Sequence, residues 1–287
     1  MLTTLFRFLS RFPLAVLHPL GAVLGRLTYL ASPTYRRHLR ENLAAALPGS
    51  ERLRGVAAAQ AGRQMLEIPF VWLRPREEVL ALAKEVTGWE LAEAAHGRGE
   101  GILFLTPHLG CFEITAQYIA ARMPITVLYR APKQTWLQPL MEQGRGGGNV
   151  KLAAADLGGV RQLMRALRQH QAIGLLPDQV PGRGEGTWAD FFGRPAYTMT
   201  LAARLSEMPR TAVIFVYAER LSGAQGFRVT FLAPPVAVSG NLGQRVQAIN
   251  ACVEDLIRRC PAQYLWGYNR YKRPSGAEPP DPTESEA

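Results

Sequence analysis

The chain has 287 residues, of which 47% are hydrophobic and 20% charged, and it carries a formal net charge of +10. This composition excludes an intrinsically disordered protein, and the length suits one large α/β domain or two small ones. The excess of basic residues indicates an anionic partner, either a polyanion or an anionic membrane surface.

The basic residues and the most apolar segment lie together at the N-terminus. Residues 1–40 contain six arginines and neither Asp nor Glu, and residues 12–25 form an uncharged apolar run that Arg26 interrupts. The chain contains no nucleic-acid recognition motif, and its basic residues do not alternate with aromatic ones. The charge pattern therefore favours a membrane over a nucleic acid as the partner.

The N-terminal apolar run falls short of a straight membrane-spanning helix, which needs about 20 apolar residues. Pro13 and Pro19 interrupt it further. Three interpretations stay open: a shallow or re-entrant membrane helix, an amphipathic helix in the interface, and a core helix that caps the globular domain. Because arginines flank the run, we expect residues 1–31 to anchor the protein on the cytoplasmic side of a membrane.

Helices are predicted next, where apolar residues recur at spacings of three and four, and strand-like runs then alternate with further helices. The predicted helices cover residues 35–47, 51–73, 76–84, 89–96, 112–122, 134–143, 158–169, 198–207 and 241–259. The predicted strands cover residues 102–106, 125–130, 172–178, 211–220 and 227–233. This order predicts an α/β fold with a mixed, mostly parallel sheet flanked by helices, in which the last two strands form an antiparallel hairpin.

The rest of the chain shows no internal repeat and no internal linker, so residues 32–274 are predicted to form one domain. Residues 275–287 are rich in proline and acids and are predicted to be disordered. The glycine-rich segment 144–149 lacks the Lys-Ser/Thr ending of a phosphate-binding loop and is interpreted as a surface loop. The three cysteines lack the spacing of a zinc site and are expected to be buried thiols in a reducing compartment.

The segment ILFLTPHLGCFEI carries the sharpest chemical signal. An apolar strand ends before Pro107, and His108 follows at the carboxyl end of the strand, where open α/β sheets place their sites. Glu113 falls in the first turn of the next predicted helix, where the helix dipole favours a carboxylate. A His–carboxylate pair suits proton abstraction from a hydroxyl, because the acid fixes the imidazole tautomer. A histidine after a strand is more often structural, so spacing alone leaves both interpretations open.

The residues from His108 to Glu113 match the H-x4-D/E signature of glycerolipid acyltransferases. From about residue 35 to residue 274 the chain resembles the lipid A late acyltransferase family, the lauroyl and myristoyl enzymes of Gram-negative bacteria. The blocks that carry the resemblance, in chain order, are RRHLRENLAAALP, GILFLTPHLGCFE, an LYR that ends at Arg130, GVRQLMRALRQ, GLLPDQ, FFGRPA and QYLWGYNRYKRP.

The resemblance assigns roles to individual residues. His108 would be the general base and Glu113 its orienting acid. Arg130 would bind an acceptor phosphate or polarise the thioester, and Asp178 would help to organise the substrate site. Apart from the resemblance, Arg183 lies in a glycine-rich loop, from which we expect it to reach the substrate.

An oxyanion stabiliser is also needed when an alcohol attacks a thioester. The candidates are Arg130, Lys133 and the backbone N–H groups beside Gly110. No serine or cysteine nucleophile is required, because the acceptor hydroxyl attacks directly.

The resemblance implies an O-acyltransferase that moves a fatty acyl chain from acyl carrier protein to a hydroxyl of a lipid A precursor, a phosphorylated lipid. It implies the cytoplasmic face of the inner membrane as the location, with no metal, no redox cofactor and no nucleic acid. Two alternatives stay open. One is the same chemistry on a glycolipid, lysophospholipid or aminolipid, and the other is a non-catalytic basic membrane-binding protein. Tyr268, where many relatives carry His, and the divergent segment after Arg130 leave the acceptor and the chain length undecided.

Overall fold

The computed structural model describes residues 2–132 and 134–280. Lys133 and the distal part of the predicted disordered tail, residues 281–287, lie outside the described residues. The helices are α1 (Leu2–Leu9), α2 (Leu14–Ala31), α3 (Pro33–Ala46), α4 (Arg54–Leu73), α5 (Arg76–Leu80), α6 (Glu90–Gly97), α7 (Phe112–Ala120), α8 (Gln138–Arg145), α9 (Leu157–Arg168), α10 (Leu201–Ser206) and α11 (Leu242–Arg259). The strands are β1 (Ala83–Thr87), β2 (Gly101–Leu105), β3 (Ile125–Tyr129), β4 (Val150–Ala154), β5 (Ala172–Leu175), β6 (Gly186–Phe191), β7 (Arg194–Met199), β8 (Thr211–Arg220) and β9 (Phe227–Leu232). Short 3₁₀ turns lie at Glu51–Leu53, Thr135–Leu137, Ser222–Ala224 and Pro261–Gln263.

Seven strands form one sheet in the order β1-β9-β8-β2-β5-β3-β4, and β6 pairs with β7 in a separate hairpin. All neighbours in the large sheet are parallel except β8 and β9, which are antiparallel. The predicted fold class is therefore confirmed, including the antiparallel pair formed by the last two strands.

The strands that the sequence did not predict lie away from the centre of the sheet. The predicted helix 76–84 includes the first two residues of β1, but α5 ends at Leu80 and β1 pairs with β9 at one edge. Strand β4 forms the opposite edge, and the β6–β7 hairpin stands apart from the sheet. These segments are partly exposed and carry charged or small residues, so they lack the continuous apolar run that marks a strand buried on both faces.

Helices cover both faces of the large sheet. Strand β2 is buried throughout, and its side chains alternate between the two faces. Leu103 and Leu105 pack with α9, α10 and α11, whereas Ile102 and Phe104 pack with α6 and α7. The carboxyl ends of the central strands therefore open at one edge, between two helical layers.

The N-terminal helix α2 packs directly on α4. The backbones approach closely because glycines face each other: a Cβ on Gly62 would lie 2.0 Å from the carbonyl oxygen of Gly21, and a Cβ on Gly25 would lie 2.1 Å from that of Ala58. Small residues at a spacing of four permit such close approach of two helices. One side of α2 is thus packed against the rest of the protein. The boundary at residue 31 between an anchoring segment and the domain stays a prediction.

A buried ionic network reinforces this packing. His18 on α2 lies 2.6 Å from a carboxylate oxygen of Glu67 on α4, and Arg220 at the end of β8 binds the same carboxylate through two nitrogens. Burial acts to raise the pKa of Glu67, but Arg220 and His18 outweigh it and hold the pKa at about 2. Glu67 is therefore ionised, and it joins α2 to both α4 and the sheet.

The other side of α2 is apolar and exposed. By length and composition, one helix in the described part of the chain could cross a membrane: Leu14–Ala31, with mean hydropathy 1.4 and 33% of its residues buried. The exposed apolar side chains on α1 and α2 are Leu2, Leu5, Phe8, Val16, Leu20, Val23, Leu24, Leu27 and Leu30. We call this set the apolar N-terminal face.

Candidate active site

The register of two neighbouring strands brings His108 and Asp178 together. Leu105 of β2 pairs with Leu175 of β5 in parallel register, and each functional residue follows its strand residue by three positions. The Nδ1 atom of His108 lies 2.8 Å from Oδ1 of Asp178, and the His108 backbone N–H donates to Oδ2 at 3.0 Å. One carboxylate thus holds both the main chain and the ring of His108.

Asp178 is 2% exposed. Burial acts to raise its pKa, but the charge and hydrogen bonds of His108 outweigh burial, so the pKa lies below the usual value. The phenol of Tyr264 is also buried nearby, and burial together with the Asp178 charge raises its pKa well above the usual range. Asp178 is therefore an ionised acceptor, and it keeps the proton of the neutral imidazole on Nδ1.

The second ring nitrogen of His108 faces Gln179. The amide Nε2 of Gln179 lies 3.1 Å from Nε2 of His108. Because Nδ1–H donates to Asp178, His108 Nε2 carries the lone pair and accepts a hydrogen bond from the Gln179 amide. The basic nitrogen is thus covered by a neutral, displaceable donor.

Among the described residues Glu113 makes no hydrogen bond to His108, so the predicted contact is absent there, while the catalytic role of Glu113 stays a prediction. Oε2 of Glu113 accepts hydrogen bonds from Trp72 Nε1 at 2.9 Å and from Arg145 Nε at 2.8 Å, and its Oε1 binds Arg145 Nη2. Among the described residues, the imidazole nitrogens bond to Asp178 and Gln179 instead.

The turn between β2 and α7 separates the two side chains. Gly110 adopts a positive φ of 60°, and a Cβ there would lie 1.9 Å from the carbonyl oxygen of Ala218. The chain thus reverses tightly before α7. As a result, His108 turns towards the end of β5, while Glu113 points between α4, α7 and α8.

An apolar pocket opens between the sheet and α7. It has a volume of about 590 Å³, including its open mouth, and Phe104, Ile125, Val127 and Leu175 line it together with Glu113 and Arg145. Thr106 and Phe112, which flank His108 in the chain, also line it. The His108 and Phe112 rings are in edge contact, with centroids 4.8 Å apart. His108 therefore contacts one wall of this apolar pocket through the Phe112 ring.

The two predicted substrate-binding arginines, Arg130 and Arg183, are exposed near the carboxyl ends of the central strands. Arg130 follows β3 and lies 3.9 Å from Glu185, with 70% of its side chain exposed. Arg183 is exposed in the loop after Asp178. Both cations therefore lie on loops at the carboxyl ends of the central strands, open to an incoming anion.

The backbone N–H groups beside Gly110 are already bonded within the protein. Those of Leu109, Gly110 and Cys111 donate to the carbonyls of Pro107, Gln263 and Ala218. They are therefore not free to stabilise an oxyanion. Arg145, on the pocket wall, supplies a cation closer to the pocket than Arg130 does.

The C-terminal segment around Leu265 and Tyr268 bonds to the loops that carry His108 and Asp178. The Leu265 N–H donates to the carbonyl of His108 at 3.2 Å, and Tyr268 accepts a hydrogen bond from the Val180 N–H at 3.0 Å. Tyr268, the departure from many relatives, therefore fixes the loop that carries Asp178 and Gln179.

The three cysteines, Cys111, Cys252 and Cys260, are free and buried, as predicted. Burial raises the pKa of the Cys111 thiol well above its usual value, so this neighbour of His108 is not a thiolate. Residues 2–132 and 134–280 contain no group of three or more His, Cys, Asp or Glu side chains that could hold a metal ion.

Comparison with known proteins identifies the family. The profile described as "Bacterial lipid A biosynthesis acyltransferase" matches residues 2–273, almost the whole chain. The protein belongs to this acyltransferase family.

Curated relatives match about nine tenths of the chain at low identity. A lipid A biosynthesis palmitoleoyltransferase of Escherichia coli K12 is 25% identical over 271 residues, which cover 90% of this chain and 87% of the relative. A lipid A biosynthesis lauroyltransferase of the same organism is 24% identical over 272 residues, with coverage of 92% and 88%. A lipid A biosynthesis acyltransferase of Shigella flexneri is 25% identical, with coverage of 90% and 87%.

Three residues of this candidate site were not predicted from the sequence. Gln179 directly follows Asp178 at a strand end, so strand position could have indicated it. Trp72 and Arg145 lie 41 and 32 residues from Glu113 in the chain and meet it only through the packing of α4 and α8 on α7. No local pattern marks that contact.

The acyltransferase should depend on the Glu113–Arg145 pair for stability. Glu113 is buried, and Arg145→Leu would leave its charge with Trp72 as the remaining side-chain donor among the described residues. Loss of one partner of a buried pair costs about 3 kcal/mol or more. We expect that loss in denaturant unfolding of the detergent-solubilised protein, with most of it recovered in Glu113→Gln/Arg145→Leu. Arg130→Leu, at an exposed arginine, is the control. If Arg145→Leu lowered the free energy of unfolding as little as Arg130→Leu does, the Glu113–Arg145 pair would not be a structural one.

Proposed function

We propose that this protein transfers a fatty acyl chain from acyl carrier protein to a hydroxyl of a lipid A precursor. One observation carries the proposal: Asp178 holds the His108 ring from Nδ1, which leaves Nε2 as the basic nitrogen, and the same ring contacts Phe112 on the wall of an apolar pocket. The activities named for the Escherichia coli relatives supply the acceptor class.

His108 acts as the general base. The acceptor hydroxyl displaces the Gln179 amide from Nε2, donates its proton to that nitrogen and attacks the thioester carbonyl directly. Asp178 stabilises the imidazolium that forms, because it is a buried, ionised carboxylate in contact with Nδ1–H. The proton then passes from Nε2 to the departing thiolate. No covalent acyl-enzyme is formed.

Glu113 acts through Arg145 and is a positioning residue. Its carboxylate holds the guanidinium on the wall of the pocket, and Phe112, whose ring contacts His108, directly precedes Glu113 in α7. A cation fixed there stabilises the negative charge that develops on the carbonyl oxygen. The acyl chain occupies the apolar pocket, and its thioester end lies between Arg145 and His108.

The exposed arginines at the mouth receive the acceptor. Arg130 and Arg183 lie on loops beside the site, and guanidinium groups bind phosphate through paired hydrogen bonds. Lys133, outside the described residues, belongs to the same segment as Arg130. These cations hold the phosphorylated acceptor while its hydroxyl reaches His108.

The apolar N-terminal face lies on the cytoplasmic side of the inner membrane. Its leucines and valines point outward, while the opposite side of α2 carries the buried His18–Glu67 contact. Lipid on all sides of α2 would require this ionic contact and the packing on α4 to separate. We therefore assign α2 to the interface, with one face in the lipid, rather than to a span.

Mass spectrometry of lipid A tests the reaction. In a strain that lacks this gene, lipid A should lose one secondary acyl chain, and the wild-type gene should restore it. His108→Ala should not restore it, because loss of a general base lowers turnover by at least ~100-fold. An unchanged lipid A profile in the deletion strain would instead favour the same chemistry on another membrane lipid, and restoration by His108→Ala would contradict the assigned base.

The role of Gln179 predicts a change in pH dependence. In Gln179→Glu, a carboxylate faces Nε2 and favours the protonated imidazole, which cannot accept a proton from the acceptor. The acidic limb of the kcat/KM profile should therefore move to higher pH, while Gln179→Ala should stay active near neutrality. Steady-state kinetics over a pH series measures both variants. An unmoved limb in Gln179→Glu would show that His108 Nε2 is not the titrating base.

A further inference from the structure

A second basic feature lies outside the site described above. A cleft of about 730 Å³, open to solvent, lies between the C-terminal end of α1, the junction of α4 with α5, and α8. Arg7, Arg11 and Arg74 line it, together with Ser10 and Gln143. We call it the arginine cleft, and the mechanism proposed above does not use any of its residues.

The arginine cleft has an excess of positive charge. Glu78 lies 3.4 Å from Arg74, but it is itself half exposed. Within the described chain, Arg7 and Arg11 have no carboxylate within 4.0 Å. Nε of Arg74 is buried and has no hydrogen-bond partner among the described residues. Three guanidinium groups are therefore opposed by one carboxylate, and a buried donor is left unsatisfied.

Hydrogen bonds hold the side chain of Arg74 and the main chain of Arg7 and Arg11 at the cleft. Nη2 of Arg74 donates to the carbonyl oxygen of Arg11 at 3.2 Å, and its guanidinium carbon lies 5.1 Å from the centre of the Phe70 ring. The hydroxyl of Ser10 donates to the carbonyl oxygen of Arg7 at 2.7 Å. These contacts use main-chain acceptors of Arg7 and Arg11, so both of their side chains stay available to a ligand.

The neighbours of the cleft indicate a lipid ligand. Leu5 and Phe8 of the apolar N-terminal face lie within two residues of Arg7 in α1 and are about half exposed. A helix that buries such side chains at a membrane surface holds its arginines at the level of the lipid head groups. Phosphate is the anion found there, and guanidinium groups bind it through paired hydrogen bonds.

The cleft adjoins the catalytic pocket through one layer of side chains. Phe6 of α1 packs on Trp72, with ring centroids 5.8 Å apart, and Trp72 donates to Glu113. Gln143, on the far wall, precedes Arg145 by two residues on α8. A lipid phosphate in the cleft therefore lies next to the pocket that would hold the acyl chain.

We infer that the arginine cleft binds a phosphate group of the acceptor lipid and sets the position of its sugar relative to His108. The inference rests on the proposed function for the identity of the acceptor. Bulk anionic phospholipid offers the same phosphate chemistry, so the experiment must separate these two sources.

The test compares Arg7→Gln/Arg11→Gln with a charge-matched control, Arg52→Gln/Arg204→Gln, in which both arginines are exposed and lie outside the cleft and the site. The first arm measures kinetics in neutral detergent micelles, with a lipid A precursor that retains its phosphates and with the same lipid after phosphate removal. The second arm measures sedimentation with phosphatidylcholine vesicles, with and without phosphatidylglycerol.

The inference predicts that the cleft variant raises KM at least ~10-fold for the phosphorylated acceptor, the effect of ~1.4 kcal/mol of lost binding. Its kcat, its KM for the dephosphorylated acceptor and its vesicle binding should match those of the control. A selective loss of binding to phosphatidylglycerol vesicles, with KM unchanged, would overturn the acceptor assignment in favour of bulk lipid. An equal KM rise for both acceptors, or no change in either arm, would overturn the phosphate site.

These outcomes are distinct from failure of the proposed function. If the wild-type protein does not acylate the lipid A precursor, the proposed function fails, and the vesicle arm then decides whether the cleft binds lipid phosphate. If the wild-type protein is active and the cleft variant has the same KM, the inference alone fails.

Discussion

The contact between His108 and Asp178 is the interaction on which the rest of the site depends. It arises from the parallel register of β2 and β5, because each residue lies three positions beyond a paired strand residue. The carboxylate binds both the ring and the main chain of His108, so the proposed base is held in place by the fold itself. Such preorganisation means that little reorganisation is needed when the imidazolium forms.

A second ionic pair, Glu113 with Arg145, lines the pocket. The site therefore contains two carboxylates with separate contacts. Asp178 binds the histidine of the H-x4-E motif, and Glu113, the acid of that motif, binds the guanidinium of Arg145. The pocket lies between these pairs, and α1, whose Phe6 contacts Trp72, joins it to the apolar N-terminal face. The aromatic side chains of Phe6 and Trp72 thus connect the apolar N-terminal face with Glu113 at the pocket.

The sequence was informative where local patterns govern the structure. Buried strands such as β2 and β5 are continuous apolar runs, and the position of His108 after a strand follows from that run alone. The partner of His108 could not be predicted in the same way, because it depends on which strand lies beside β2. The edge strands β1 and β4 lack the apolar run, and the Glu113–Arg145 contact joins helices far apart in the chain. The half-buried state of α2 depends on Gly62 and Glu67 of α4, which no pattern within residues 1–31 contains.

The central claim, that Asp178 rather than Glu113 holds the imidazole, is tested most directly by ¹⁵N NMR of His108 in the wild type, Asp178→Asn and Glu113→Gln. The neutral ring of the wild type should carry its proton on Nδ1 and leave Nε2 bare. Glu113→Gln should keep this pattern, whereas Asp178→Asn should lose the strong preference for the Nδ1–H tautomer. Loss of the preference in Glu113→Gln, with Asp178→Asn unchanged, would contradict the account.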